Sequence, residues 1–301
     1  MELDLGELVD EGVDGGVDGH GDDHTSDISR KNSLHGEISQ KNVRIGGWDR
    51  VEGVTNAEAY DRGFAQLSSH TVGPLLDRAC APRLLDIGCG TGVVTSAALA
   101  LGAEVTAVDA DPGMLELTAR RHPYATIRQA TLPELPFDDG EFDAIAGNFV
   151  INHVPDTARA LKELHRVLRP GGTIALTWWK SDEMTATNVF ADAIAAAGVP
   201  YEPPARPFTG NDTPRRFTEL LEAAGFEAAA VDPVRWHHRV DLATWWDDIV
   251  QAGGPRFAMI ARQPPETFER IRACYTRLAA PYEREGFPVC AYLAHAARSG
   301  L

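Results

Sequence analysis

Leu84-Leu85-Asp86-Ile87-Gly88-Cys89-Gly90-Thr91-Gly92 sets three glycines within five residues, directly behind a short apolar run. Glycine has no Cβ, so these positions permit backbone angles closed to other residues and a close approach of the main chain to whatever lies over it. Arg83 to Ile87 reads as a buried parallel strand, and Val93 to Leu101 reads as a helix that opens at the glycines. Strand, glycine turn and helix in this order build a binding lip at the carboxyl end of a sheet.

Outward from this stretch the chain alternates strand and helix patterns. On the N-terminal side, Thr55 to Arg78 reads as one or two helices carrying Ala59, Tyr60, Phe64, Leu67, Val72, Leu75 and Leu76. On the other side, Ala103 to Asp109 is a second strand that ends on an acid, and Pro112 to Arg121 is a short helix. Thr126 begins a third strand, and Phe142 to Gly147 forms a fourth behind the turn Asp138 to Glu141. Asp156 to Leu168 is amphipathic, with Ala158, Leu161, Leu164 and Val167 at helical spacing. Arg169-Pro170-Gly171-Gly172 stops it before a fifth strand, Thr173 to Trp178. Thr213 and Pro214 supply an N-cap and a first-turn proline for the helix Arg215 to Ala224, closed by Gly225.

Val231 to Val240 and Pro288 to Ala297 read as the last two strands. Between them, Asp241 to Ala252 and Pro265 to Tyr282 are helical, and residues 241–285 read as an inserted cap. This alternation predicts an α/β fold: a Rossmann-like, seven-stranded, mostly parallel sheet with helices on both faces and a helical cap insertion. Residues 46–301 form that domain, and residues 1–45 read as an acidic, flexible tail.

Composition bounds the function classes. The 301 residues are 44% hydrophobic and 24% charged, ordinary for a soluble enzyme. The net charge is −16, and the first 29 residues carry ten Asp or Glu with no Lys or Arg. An acidic chain without a Lys/Arg cluster disfavours a nucleic-acid substrate. No apolar run approaches the ~20 residues of a membrane span. The acidic N-terminus lacks the basic and apolar regions of a signal peptide. The four cysteines, Cys80, Cys89, Cys274 and Cys290, lack metal-ligand spacing, which predicts a reduced, cytoplasmic protein with no structural metal.

Four motifs in order then carry a resemblance. LLDIGCGTG (84–92), AVDADPGML (107–115), LPFDDGEFDAIAGNFVINHV (135–154) and LRPGG (168–172) resemble the class I S-adenosylmethionine-dependent methyltransferases, in the small-molecule, ubiquinone-methylase-like branch. A nicotinamide-binding Rossmann protein would need its third glycine at Val93, one place later than Gly92, and no second nucleotide half follows.

The resemblance implies S-adenosylmethionine as cofactor and assigns roles to positions. Gly88, Gly90 and Gly92 would line a cradle for its amino-acid end, and Asp86 would orient the turn or meet the ammonium through water. Asp109 would accept both ribose hydroxyls, next to Ala110, with Met114 on the adenine face. Relatives usually carry an adenine-binding Asp before the LPF segment. Here that place is Thr131, or Gln129 if the register slips, with the Leu132 N–H also available to the ring. Tyr60 resembles the aromatic that closes over the methionyl end in relatives, or else is a helix-packing tyrosine.

Asn148 and Phe149 would border the reacting methyl. His153 is either a base or substrate contact, or structural. Trp179, His237, Trp245 and Trp246 are candidates to face a flat, largely apolar small-molecule substrate, with His238 as the alternate to His237. The exit Gly147-Asn148-Phe149 lacks the double proline and aromatic used to methylate base or amide amino groups. Two activities fit these motifs: methyl transfer to an O, N or C acceptor, and a cofactor-binding protein with a regulatory or non-methylating role.

Overall fold

The computed structural model describes residues 56–202 and 207–300. The acidic tail expected over residues 1–45 lies outside them.

The described chain opens with α1 (Ala57–Tyr60), a π-helical turn (Asp61–Ala65), α2 (Gln66–Ser69) and α3 (Val72–Arg78). The alternating core follows as β1 (Arg83–Ile87), α4 (Val93–Ala100), β2 (Glu104–Asp109), α5 (Pro112–Arg121), β3 (Thr126–Gln129), β4 (Phe142–Asn148) and α6 (Thr157–Val167). Then come β5 (Leu168–Met184), α7 (Thr185–Ala196), α8 (Pro214–Ala223) and β6 (Phe226–His238). Three helices, α9 (Leu242–Ala252), α10 (Pro255–Ala261) and α11 (Pro265–Ala279), precede β7 (Phe287–Arg298).

The seven strands form one sheet in the order β3-β2-β1-β4-β5-β7-β6. β1 pairs in parallel with β2 on one side and β4 on the other, and β7 alone runs antiparallel, between β5 and β6. The strand order therefore reverses at β1, which opens a crevice at its carboxyl end beside β4. β1 is buried from Leu84 to Ile87, the pattern of a strand covered on both faces.

Helix ends are set by local chemistry. Asp111 Oδ1 accepts the N–H groups of Gly113 and Met114 at 2.8 and 3.3 Å, and Pro112 occupies the first turn of α5. Asp156, Thr213 and Asp241 cap α6, α8 and α9 in the same way.

Apolar side chains gather on both faces of the sheet. One cluster packs α6 and α8 on the strands through Leu161, Leu164, Phe217 and Trp178. Another sets Val94 and Ala98 of α4 with Leu75 and Leu76 of α3 against Leu84, Val105 and Ala144. A third is separate: Phe190 and Ile194 of α7, Trp245, Trp246 and Ile249 of α9, Phe257 and Ile260 of α10, and Ile271 and Tyr275 of α11. The cap is thus a small core in its own right.

Several elements differ from expectation. Helices α7 and α10 are additional, β5 runs on to Met184, and β6 begins at Phe226. The seven residues of α10, between Gly254 and Pro264, leave little periodicity to read, whereas the long strands gain their ends from pairing with β7.

Candidate cofactor and acceptor site

The three glycines have three different physical reasons. All take positive φ, at 71° for Gly88, 55° for Gly90 and 89° for Gly92. A Cβ on Gly88 would lie 2.4 Å from the Val150 side chain, and one on Gly92 would meet Thr118 and His122 of α5 at 3.0 Å. At Gly90 the nearest atom is Tyr60 Cε1, 3.7 Å away. A Cβ at Gly90 would thus make only ordinary contact with Tyr60, while Gly88 and Gly92 are bare to admit neighbouring side chains. That corrects the equal cradle role expected of all three.

The loop is tied to β2. Gly88 N and Cys89 N donate to Val108 O at 2.7 and 2.9 Å, and Gly90 N donates to Asp109 Oδ2 at 2.9 Å. Asp109 Oδ1 accepts Asp111 N at 2.9 Å. Each oxygen of this carboxylate thus holds a backbone donor, and the Ala110 N–H also points at the group. Burial raises the pKa of Asp109, opposed by those N–H groups. Tyr60, over Gly90, has its phenol pushed up to about 12 by burial and by the charge of Asp109. Ala110 is half-buried, and Met114 is buried in the first turn of α5.

Asp86 is fully buried at the inner end of the loop. Its Oδ2 accepts Thr95 Oγ1 at 2.6 Å, and its Oδ1 is buried with no partner. Desolvation raises its pKa to about 7, and Asp109 adds to the rise. A buried carboxylate oxygen without a donor marks a place that favours a cation or a strong hydrogen-bond donor.

The N-terminal helices are strapped across this end of the sheet. Arg121 of α5 holds Asp61 with two hydrogen bonds of 2.6 and 2.8 Å, and Arg62 Nε donates to Asp248 of α9 at 2.8 Å. The π turn between α1 and α2 lets adjacent residues reach opposite ways, Asp61 to the sheet domain and Arg62 to the cap.

At the end of β4, Asn148 is already engaged. Its Oδ1 lies 2.7 Å from the hydroxyls of both Thr71 and Thr177, and its Nδ2 donates to Ser68 O at 3.1 Å. This side chain clamps α2 to the sheet, so any cofactor contact at this position falls to its main chain. Phe149 takes φ 59°, a left-handed conformation rare outside glycine, and its ring stacks on Trp179 with centroids 3.5 Å apart. His153, in the following 3-10 turn, has its pKa lowered to about 4 by desolvation. It is neutral at pH 7.

Where the resemblance puts adenine, Thr131 is exposed and donates to the adjacent Leu132 carbonyl at 3.3 Å, while Leu132 is core. Gln129 instead stands opposite Asp109 across β2 and β3 and donates to Ala110 O at 3.1 Å. Of the two alternatives, Gln129 is the one tied to the second-strand end.

Substrate-side expectations divide. Trp179 stacks on Phe149 at the end of β4. Trp246 is 1% exposed, stacked on Phe190 and packed on Tyr275 inside the cap, so it is a core residue. Trp245 spends its indole N–H on Ala186 O at 2.9 Å and turns its ring toward His238, 4.7 Å between centroids. His237 is exposed, and the buried histidine is His238. This exchange corrects the expected order of the pair.

Residues 85–176 match the model of a methyltransferase domain. That stretch runs from β1 through the glycine loop, β2 and β4 into β5, and its likeness is to a methyltransferase domain. An uncharacterized methyltransferase of Mycobacterium tuberculosis is 39% identical over 125 residues, 42% of this chain and 51% of that protein. The demethylmenaquinone methyltransferase of Streptomyces griseus is 29% identical over 161 residues, 54% of this chain and 68% of that protein. The chain thus spans about half the length of the first of these relatives, 51%. In fold, it resembles Haemonchus contortus phosphoethanolamine N-methyltransferase 2, with TM-score 0.50, 17% identity, and coverage of 81% of this chain and 57% of that one.

S-adenosylmethionine is the cofactor that the resemblance implies, and the residues present fit it. The partnerless Asp86 oxygen suits the ammonium end, and the Asp109 carboxylate at the end of β2 suits a hydroxyl donor. Among the described residues there is no His/Cys/Asp/Glu group able to hold a metal, and no helix long and apolar enough to cross a membrane. The methyltransferase match ends at residue 176, so Trp179, β6 and the cap lie beyond it.

Proposed function

We propose that this protein transfers the methyl group of S-adenosylmethionine to a small, mainly apolar or aromatic metabolite held between the sheet end and the cap. One observation carries the reading. A run of rings leads away from Tyr60, which lies over Gly90: Tyr60 to Phe64 at 5.7 Å, Phe64 to Trp245 at 6.4 Å, Trp245 to His238 at 4.7 Å and His238 to His70 at 6.0 Å. It continues from His70 to Trp236 at 5.5 Å, Trp236 to Trp179 at 6.0 Å and Trp179 to Phe149 at 3.5 Å. A wall of aromatic faces beside a cofactor cradle favours a flat, apolar ligand. Relatives named for demethylmenaquinone point the same way.

When bound, S-adenosylmethionine supplies a methyl activated by a sulfonium, so the main task of the protein is alignment and exclusion of water. Asp86 and the Gly90 turn hold the amino-acid end, and Asp109 with Ala110 and Met114 holds the nucleoside, with Thr131, Leu132 or Gln129 toward the base. Tyr60 and the strap of Asp61 and Arg62 close the cradle from above. Phe149, locked by Trp179 and by a 3.0 Å hydrogen bond from its N–H to Thr177 Oγ1, sets the wall beside the reacting centre. His153, neutral at pH 7, contacts the acceptor as a hydrogen-bond partner, and its low pKa makes it a weak base. The acidic surface suits a neutral metabolite better than a nucleic acid.

Incubation with methyl-tritiated S-adenosylmethionine and fractionated small-molecule extracts tests this reading. Label transferred to an organic-soluble compound supports it. Tight cofactor binding with no transfer to any fraction would favour the regulatory or non-methylating role instead.

A further inference from the structure

We propose that His238 is the polar anchor of the acceptor site, and that the acceptor is a flat aromatic molecule bearing a hydroxyl that hydrogen-bonds this imidazole. The inference rests on the methyl-transfer reading and narrows its substrate class.

His238 is the last residue of β6, immediately before the chain enters the cap. Its side chain is 4% exposed, and neither Nδ1 nor Nε2 has a partner. The ring stands edge-on to His70 (88°) and inclined at 61° to Trp245, in the middle of the aromatic wall. Beside it, Trp236 stacks on His70 at 24°, and the Trp236 indole N–H is likewise buried without a partner. Three buried polar atoms are thus concentrated on one stretch of an otherwise apolar surface.

Leaving such groups unpaired is costly, so a ligand that completes them gains affinity and selectivity. A neutral imidazole offers one N–H and one bare nitrogen. A hydroxyl can complement either one, because it both donates and accepts. Burial, with His70 adding, lowers the pKa of His238 to about 4, so the ring is uncharged near neutrality and is a poor partner for a carboxylate.

The position is built into the sheet. His238 stands opposite Phe287 across β6 and β7, and Gly286 turns there with φ 82°. A Cβ on Gly286 would lie 2.7 Å from His238 O, so only glycine lets the returning chain pass this close.

The test uses 2-naphthol and naphthalene as a matched pair, titrated into the full chain by tryptophan quenching and calorimetry. Wild type is expected to prefer 2-naphthol by about tenfold, the worth of one net hydrogen bond. His238→Phe should erase that preference through loss of 2-naphthol affinity alone, and His238→Gln should restore part of it. Both variants should keep wild-type affinity for S-adenosylhomocysteine, which reports an intact cofactor site. In wild type labelled with 15N-histidine, the His238 ring resonances should move with 2-naphthol and stay still with naphthalene, a readout independent of whether a variant folds. The proposal is overturned if wild type binds neither probe, if it does not discriminate (the result when a buried water is the sole partner), or if His238→Phe retains the preference. Failure of the methyl-transfer reading appears separately: no label would pass from methyl-tritiated S-adenosylmethionine to any acceptor, while the naphthol preference could still be scored.

Discussion

The Gly90 N–H donates to Asp109 Oδ2 at 2.9 Å, which makes the glycine turn after β1 and the acid ending β2 one mechanical unit. The same carboxylate holds Asp111 N, at the entry to α5, through its other oxygen. One side chain therefore shapes the loop and the helix start on either side of the cradle. Asp109→Ala should weaken S-adenosylhomocysteine binding by ~1–3 kcal/mol, and Asp109→Asn, which keeps one acceptor, by less. Calorimetry giving unchanged affinity in the alanine variant would remove Asp109 from the ribose site.

Gly88 and Val150 make a second prediction, about stability. Gly88→Ala pushes a methyl to 2.4 Å from Val150 at a positive φ, so it should cost about 1–3 kcal/mol in urea unfolding. Adding Val150→Ala should recover part of that loss. Gly90→Ala, which meets no close atom, should cost stability only through its φ. If the Val150→Ala background makes no difference, backbone strain rather than crowding sets the requirement for glycine at 88.

Asp86 predicts how cofactor affinity depends on pH. Its pKa is raised to about 7 by burial, and a cation at its free oxygen favours the charged form. Below that pKa the carboxyl is protonated and binding must expel the proton, so affinity falls as pH drops below about 7 and levels off above it. Titrations between pH 5.5 and 8.5 should trace this rise in wild type, and Asp86→Asn should flatten it.

Trp246 and Trp179 separate the cap core from the site. Trp246→Ala empties a fully packed position and should cost ~3–5 kcal/mol of stability, with little change in the Michaelis constant for whichever metabolite accepts tritium. Trp179→Ala should do the reverse, raising that constant with a smaller loss of stability. A selective effect of Trp246 on the acceptor would place it at the site after all.

Much of the domain is legible from the sequence because its determinants are local. The apolar run before the glycines, the Asp111-Pro112 start of α5 and the spacing of Leu161, Leu164 and Val167 each specify an element through near neighbours. The acid at Asp109 is locatable for the same reason, since it ends a strand and precedes a capped helix. What each glycine is for was not legible. The neighbours that demand it, Val150 for Gly88 and α5 for Gly92, arrive from distant parts of the chain.

The histidine pair shows where local reading stops. Residues along a strand alternate between faces, so a shift of one residue exchanges His237 with His238. That phase is set by pairing with β7, in which one extra residue is accommodated between Glu227 and Ala230, with Ala228 at φ 52°. The sequence by itself determined the order of strands and helices, the glycine turn and its acid, because backbone propensity and periodicity act over a few residues. Only the tertiary structure decided which tryptophans became cap core and which histidine faces the aromatic wall, because side-chain direction depends on register between strands far apart in the chain.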